Sequence, residues 1–250
     1  MSDQRPVAFV TGGAGGIGCA ICVKLAESGM RVVVGYHRSS EPAEQLLSTL
    51  PGEGHSARPA PVTDSAALTA LAAAIERDYG RCDALVNSAG ITRFVPHANL
   101  DALDDALIDT ILATNVRGAF AAVRAFRPML ERSPLPGGGV VVNISSIAAE
   151  IAMGSNVMYC ASKAALDNMT KSLARALAPR IRVVSVSPGL VDTAFVKSLD
   201  QNWRDEQASR APLGRLATPE EVASAVWSVI VTLTCTTGSI VTLDGGRTLG

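Results

Sequence analysis

Tyr159 and Lys163 stand four residues apart in the run Tyr159-Cys160-Ala161-Ser162-Lys163. On a helix that spacing places both side chains on one face. A free phenol has a pKa of about 10 and exchanges protons poorly at neutral pH. An ammonium held beside it favours the phenolate, so the pair predicts a general acid/base whose pKa Lys163 pulls toward neutrality. An ordinary helix-surface pair shows the same spacing. What separates the two readings is the set of elements that would position the pair.

The first of these is at the N-terminus. Val7-Ala8-Phe9-Val10 is a short apolar run, the mark of a buried parallel strand. It leads into Thr11-Gly12-Gly13-Ala14-Gly15-Gly16-Ile17-Gly18 and then an apolar-periodic helix to about Gly29. Glycines in such a turn let the backbone approach a ligand, and the helix start offers free N–H groups to a pyrophosphate. Arg31 to Tyr36 reads as a second strand. A site for NAD usually places an acid at the end of that strand. Here the chain reads Tyr36-His37-Arg38-Ser39-Ser40 instead. Arg38, with a serine hydroxyl, suits a 2′-phosphate, so the expected cofactor is NADP, with NAD the other choice.

Strands and helices go on alternating. A helix spans about 41–50, a weak third strand 55–62 carries Pro59 and Pro61, and Thr63 or Asp64 caps a helix to Tyr79. Asp83 to Asn87 is a fourth strand ending in Asn87-Ser88-Ala89-Gly90, small enough for a cofactor to lie against it. One long helix is expected over about 103–132, with Asn115 in an apolar setting. Val140 to Ile144 forms a fifth strand ending in Ser145-Ser146; the Tyr159 helix runs to Ala178; Ile181 to Val186 is a sixth strand. Thr218-Pro219-Glu220-Glu221 opens a helix with a cap, a proline at the first turn and a capping glutamate. Ile240 to Leu243 is the last strand. No repeat or linker interrupts the pattern, which is that of one α/β domain over 1–250, a doubly wound parallel sheet of about seven strands with helices on both faces, the Rossmann arrangement.

Composition narrows the partners. Apolar residues make up 48% and charged residues 18%, enough for a large core and against disorder. A net charge of -1 with no basic run gives no electrostatic support for nucleic acid or an anionic membrane. Met1 to Pro6 lacks the pattern of a signal peptide, so a cytoplasmic protein is expected. Val222 to Leu243 carries no charge and is long enough to span a bilayer, but its threonines and Gly238 divide it into a buried helix, a turn and a strand. Cys19 and Cys22 have CxxC spacing with no second pair or histidine cluster beside them, which favours packing over zinc or redox roles; no metal is expected.

Together these motifs resemble the short-chain dehydrogenase/reductase family in its compact form, over essentially the whole chain. Thr11-Gly12-x-x-x-Gly16-x-Gly18 matches the family's cofactor turn, Asn87-x-Ala89-Gly90 its fourth-strand motif and Tyr159-x-x-x-Lys163 its active site. Ser146, thirteen residues before Tyr159, matches the family's serine, with Ser145 the adjacent alternative; Asn115 matches its helix asparagine. Pro188-Gly189, Val191 and Thr193 fall in the segment that holds the nicotinamide amide. The resemblance implies Asn115, Ser146, Tyr159 and Lys163 as the catalytic set. It implies a cofactor site of Gly12, Gly15, Gly16, Ile17, Gly18, Tyr36, Arg38, Ser39, Asn87, Ala89, Gly90, Tyr159, Lys163, Pro188, Gly189, Val191 and Thr193. Pro61 stands where the family often has an aspartate for adenine, which would leave that contact to Asp64 or the Val62 backbone. Val184 replaces an asparagine, and Ser88 replaces the second asparagine of the fourth-strand motif.

The implied reaction moves hydride between NADP(H) and a carbonyl/alcohol pair. Gly90-Ile91-Thr92-Arg93 and the carboxyl-terminal segment are most similar to β-ketoacyl-carrier-protein reductases, with sugar and ketone or steroid dehydrogenases as alternatives. A regulator that senses the cofactor without turnover is the remote one. Residues 91–100, 147–158 and 194–212 should shape the substrate site, an apolar or acyl one. The helix from Val222 to Val231 is apolar nearly all round, which predicts a homotetramer with Trp227 near an interface.

Overall fold

The computed structural model describes residues 5–38 and 40–249 and, at Phe195, the backbone alone. Its strands are β1 (Val7–Thr11), β2 (Arg31–Tyr36), β3 (Ser56–Pro59), β4 (Ala84–Asn87), β5 (Gly139–Ile144), β6 (Ile181–Pro188) and β7 (Ile240–Leu243). They pair in the order β3-β2-β1-β4-β5-β6-β7, every pair parallel. The chain works outward from β1 to β3, then returns to the far side of β1 with β4. That reversal opens a crevice at the carboxyl ends of β1 and β4, the usual ligand position in such a sheet.

Strand alternation builds two core layers. Ala8 and Val10 of β1 pack on one face with Ile21, Cys22 and Leu25 of α1 (Gly16–Glu27) and with Val222, Val226 and Val229 of a later helix, Pro219–Val231. Val7 and Phe9 pack on the other with Leu68 and Ile75 of α3 (Ser65–Tyr79), which follows α2 (Glu41–Thr49), and with Phe126. Phe9 stacks on Phe126 with ring centroids 4.6 Å apart. Both faces being covered, the central strands read as continuous apolar runs rather than alternating ones.

Three local features differ from expectation. The third strand is short, Ser56–Pro59, because Pro59 and Pro61 remove ladder donors and hold it at the sheet edge. The long helix is two α segments, α4 (Asp105–Leu112) and α5 (Ala119–Leu130), joined by a π turn, Ala113–Gly118, that contains Asn115. Residues 147–209 carry three short helices, α6 (Ala148–Ile151), α8 (Ala194–Lys197) and α9 (Gln201–Ser209), around α7 (Val157–Leu177). The uncharged stretch 222–243 divides as expected into α10 (Pro219–Val231), a turn and β7. By length and composition Asp105–Leu130 could also cross a membrane, but Ile111, Ala122, Val123 and Phe126 are buried in the fold as in a core helix.

Candidate active site

The glycine turn is shaped by its contacts. Gly12 has φ +64, and a Cβ on it would lie 2.9 Å from Ala89 Cα; a Cβ on Gly18 would lie 2.2 Å from the Gly12 carbonyl oxygen. Neither position admits a side chain, so β1, the start of α1 and the β4 motif close on one another. Thr11 fastens them: the Ser88 and Ala89 N–H groups donate to its Oγ1 at 3.2 and 3.1 Å. A cleft of about 400 Å³ results, lined by Gly12, Gly15, Gly16, Ile17, Gly18, Gly90, Ser146, Tyr159, Lys163, Pro188, Gly189, Val191 and Thr193. Thr193 closes it opposite Gly16, where a Cβ would come within 3.2 Å of the threonine methyl. Glycine backbone at a helix start, with that room above it, fits a dinucleotide pyrophosphate.

Tyr159 lies in the first turn of α7. Asn156 starts that helix by accepting the Tyr159 N–H at 2.7 Å, and its amide donates to the Arg93 carbonyl at 2.8 Å and Thr92 Oγ1 at 3.1 Å. The tyrosine is thereby tied to the loop after β4, a connection missed in the sequence although asparagine is a common helix cap. Ser146, just beyond β5, lines the same cleft as the Tyr159 phenol, and its Oγ accepts the Ala148 N–H at 3.2 Å. Lys163 is buried one turn on and donates to the Ile144 carbonyl at 2.8 Å, its Nζ 5.6 Å from the Tyr159 ring centre.

The electrostatics correct one expectation. Burial raises the Tyr159 pKa; the nearby Ser146 hydroxyl offsets part of this, and the rise remains. Lys163 does not lower it here, because its ammonium points to the Ile144 carbonyl. Burial instead brings Lys163 itself down to about 8, against a smaller upward pull from Asp167. Asp167, one further turn along α7, has its carboxyl raised by burial, and Ser145, Ser185 and Lys163 oppose that rise. It had no sequence signal beyond its place four residues after Lys163. Ser145, the alternative serine, is buried and donates to the Lys163 carbonyl at 3.4 Å, so of the two only Ser146 faces the larger cavity.

Several expected positions do other work. The Asn87 amide is interior: it donates to Asn143 Oδ1 at 2.9 Å and to the Ala119 carbonyl at 3.4 Å, tying β4 to β5 and α5. Contact with a cofactor there is left to backbone and to Gly90. Asp64 caps α3, accepting the Ala66 and Ala67 N–H groups at 2.9 and 3.0 Å, and lies outside the lining of the cleft. Ala89 lies outside it too, behind Gly12. Asn115 accepts the Ile91 N–H at 2.8 Å and donates to the Ile91 carbonyl at 3.0 Å and Ser162 Oγ at 3.1 Å. Both of its amide protons are therefore committed. Tyr36 ends β2 packed against the core, and Arg38 beyond it is exposed and pairs with no described residue; Ser39 lies outside the described residues.

A second cavity, about 1020 Å³, opens beside the cleft and shares Thr92, Ser146, Tyr159, Gly189, Leu190 and Val196 with it. Phe94, Ile147, Ile151, Met153, Leu199 and Trp203 supply apolar walls. The phenol and the serine hydroxyl thus sit at the seam between a dinucleotide-shaped cleft and an apolar chamber.

A seven-stranded, doubly wound parallel sheet with this cleft defines an α/β protein of the dinucleotide-binding class. Residues 12–248 match the family model described as enoyl-(acyl carrier protein) reductase. A Streptomyces violaceoruber protein named as ketoacyl reductase 2 of the granaticin polyketide synthase is 38% identical, covering 99% of this chain and 98% of its own. D-threitol dehydrogenase of Mycolicibacterium smegmatis is 37% identical over 97% of this chain and 93% of its own. A solved short-chain dehydrogenase/reductase from Serratia marcescens is 34% identical with a TM-score of 0.88, covering 98% of each chain. This chain belongs to the short-chain dehydrogenase/reductase family and is an oxidoreductase acting on a carbonyl/alcohol pair with a nicotinamide cofactor.

Proposed function

We propose that the protein is an NADP(H)-dependent reductase of ketones on apolar or acyl chains, with 3-oxoacyl thioesters as its substrate class. The observation that carries this reading is the seam at Ser146 and Tyr159 between the cleft and the apolar chamber. The similar ketoacyl reductase supports the same choice, and the walls at Phe94, Ile151, Met153 and Trp203 suit an acyl chain.

NADPH, when bound, supplies the hydride. Ser146 donates to the substrate carbonyl oxygen and fixes its direction. Tyr159 gives that oxygen a proton, and takes it back in the reverse direction. Lys163 is held near neutrality by burial, with protons free for a cofactor hydroxyl; its charge then biases the phenol toward ionisation. Asn115 holds the Ile91 backbone beside Gly90 and Lys163, and a relay water there would use its remaining oxygen lone pair. Arg38, free of described partners, meets the 2′-phosphate.

We also propose a single-domain cytoplasmic protein that assembles as a homotetramer. Ile240, Val241 and Leu243 on the free edge β7 and Val231 on α10 remain partly or well exposed. Trp227 is half-covered, with Lys24 Nζ 5.5 Å over its ring. Light scattering at micromolar concentration tests the assembly, and the mass of one chain would overturn it. The function is tested by following NADPH and NADH oxidation with acetoacetyl thioesters, cyclic ketones and sugars. Thioester turnover with NADPH is expected; turnover of sugars alone, or a preference for NADH, would overturn the reading.

A further inference from the structure

The large cavity holds more charge than its apolar walls suggest. Arg93, Arg215 and Arg247 line it, with Asp200 and Asp244. Four of these five are already committed. Arg93 pairs with Asp104 at 3.3 Å and donates to the Ala102 carbonyl at 2.7 Å. Arg215 forks onto the two Glu221 oxygens at 2.8 and 2.6 Å. Asp200 caps α9 by accepting the Trp203 N–H at 2.9 Å. Asp244 accepts the Gly246 and Thr248 N–H groups at 2.9 and 2.8 Å.

Arg247 is different. It is half-buried on the same wall, and its side chain has no hydrogen bond or ion pair with any described residue. Its guanidinium nitrogens are not among the buried, unpartnered polar atoms, so they stay open to the chamber and to a ligand there. Its backbone is nevertheless firmly placed. The Arg247 N–H donates to the Asp244 carbonyl at 3.2 Å, and the two Asp244 carboxylate bonds bracket it. Gly246 before it, at φ +85, packs so closely that a Cβ would lie 2.9 Å from Pro212 Cγ. A fixed turn therefore presents to the chamber lined by Tyr159 a cation with no side-chain partner among the described residues.

We propose that Arg247 is a specificity residue that binds an anionic group, carboxylate or phosphate, carried by the substrate away from its reacting carbonyl. The proposal rests on the reading that this cavity takes the substrate. A planar guanidinium suits either anion bidentately, and the apolar walls take the chain that joins anion to ketone. An oxo acid and a phosphate-bearing thioester carrier both present that chemistry.

Calorimetry on the full chain saturated with NADP⁺ separates the outcomes. Octanoate, octyl phosphate and methyl octanoate are titrated into wild type, Arg247→Met and Arg247→Lys, each checked by thermal melting. A charged ligand should bind wild type at least about tenfold tighter than the neutral ester, with the preference lost in Arg247→Met and partly kept in Arg247→Lys. Whether octanoate or octyl phosphate shows it identifies the anion. Equal binding of charged and neutral ligands by wild type, or an undiminished preference in Arg247→Met, overturns the proposal. Wild-type reduction of a neutral 3-oxo ester is measured alongside. If it fails while the anion preference holds, the reductase reading falls and the Arg247 assignment stands.

Discussion

Arg182 and Lys163, two of the buried cations among the described residues, live in opposite circumstances. Arg182 on β6 donates to the carbonyls of Val229 and Ile230 at 2.9 and 3.0 Å and to those of Leu233 and Gly137 at 3.2 and 3.3 Å. Those acceptors include the last turn of α10, where carbonyls lack helical partners and the dipole is negative. Lys163 on α7 has a single acceptor among the described residues, the Ile144 carbonyl, and faces the cleft. Burial lowers the pKa of both. The guanidinium is spent on architecture; the ammonium keeps protons in reserve. An incompletely satisfied charge at a cleft is the better pointer to function than burial or a shifted pKa alone.

Replacing the atom that the reserve serves should have the largest effect. Tyr159→Phe is expected to lower kcat by about a thousandfold or more, roughly 4 kcal/mol of barrier, with NADPH still bound by fluorescence titration. Turnover within about tenfold of wild type would remove the tyrosine from the mechanism. The architectural cation should break differently. Arg182→Met strands several buried carbonyls and should cost about 3 kcal/mol in urea unfolding, while kcat per folded molecule stays within about twofold.

The ammonium also has a signature in stability. Its pKa, about 8 folded, lies below the ordinary 10.5, so between those values the unfolded chain binds more protons. The cofactor-free protein should therefore gain stability as pH rises from about 8 toward 10.5, and Lys163→Met should abolish that rise in a urea midpoint series. A flat wild-type profile would mean that the ammonium is solvated.

Arg38→Ala should raise the NADPH KM by about ten- to thirtyfold and change the NADH KM little, since only NADPH carries the 2′-phosphate. Equal effects on the two cofactors would show that Arg38 is a solvated loop residue. The smallest expected effect is at Ser146. Its hydroxyl favours the ionised phenol, so Ser146→Ala should move the ultraviolet titration of Tyr159 to still higher pH. A shift to lower pH would reverse the assignment.

The sequence alone determined what depends on neighbours along the chain. Buried parallel strands are apolar runs, and β1, β2, β4, β5 and β6 lie where such runs stand. The capping box is legible because its two partners are three residues apart, and both of its bonds form: the Glu221 N–H to Thr218 Oγ1 at 3.2 Å and the Thr218 N–H to Glu221 at 2.9 Å. Tyr159 and Lys163 share a face for the same reason. Tertiary structure decided what depends on neighbours in space. It put Asn115 in a π turn against Ile91, turned Asn87 into the interior and aimed Lys163 at Ile144 rather than at the phenol. It also left the Arg247 side chain without a partner among the described residues while giving Arg215 to Glu221. Helical and strand periodicity specify which face a residue occupies, but a charge or an amide takes its pKa and partners from other elements, and no spacing along the chain encodes their approach.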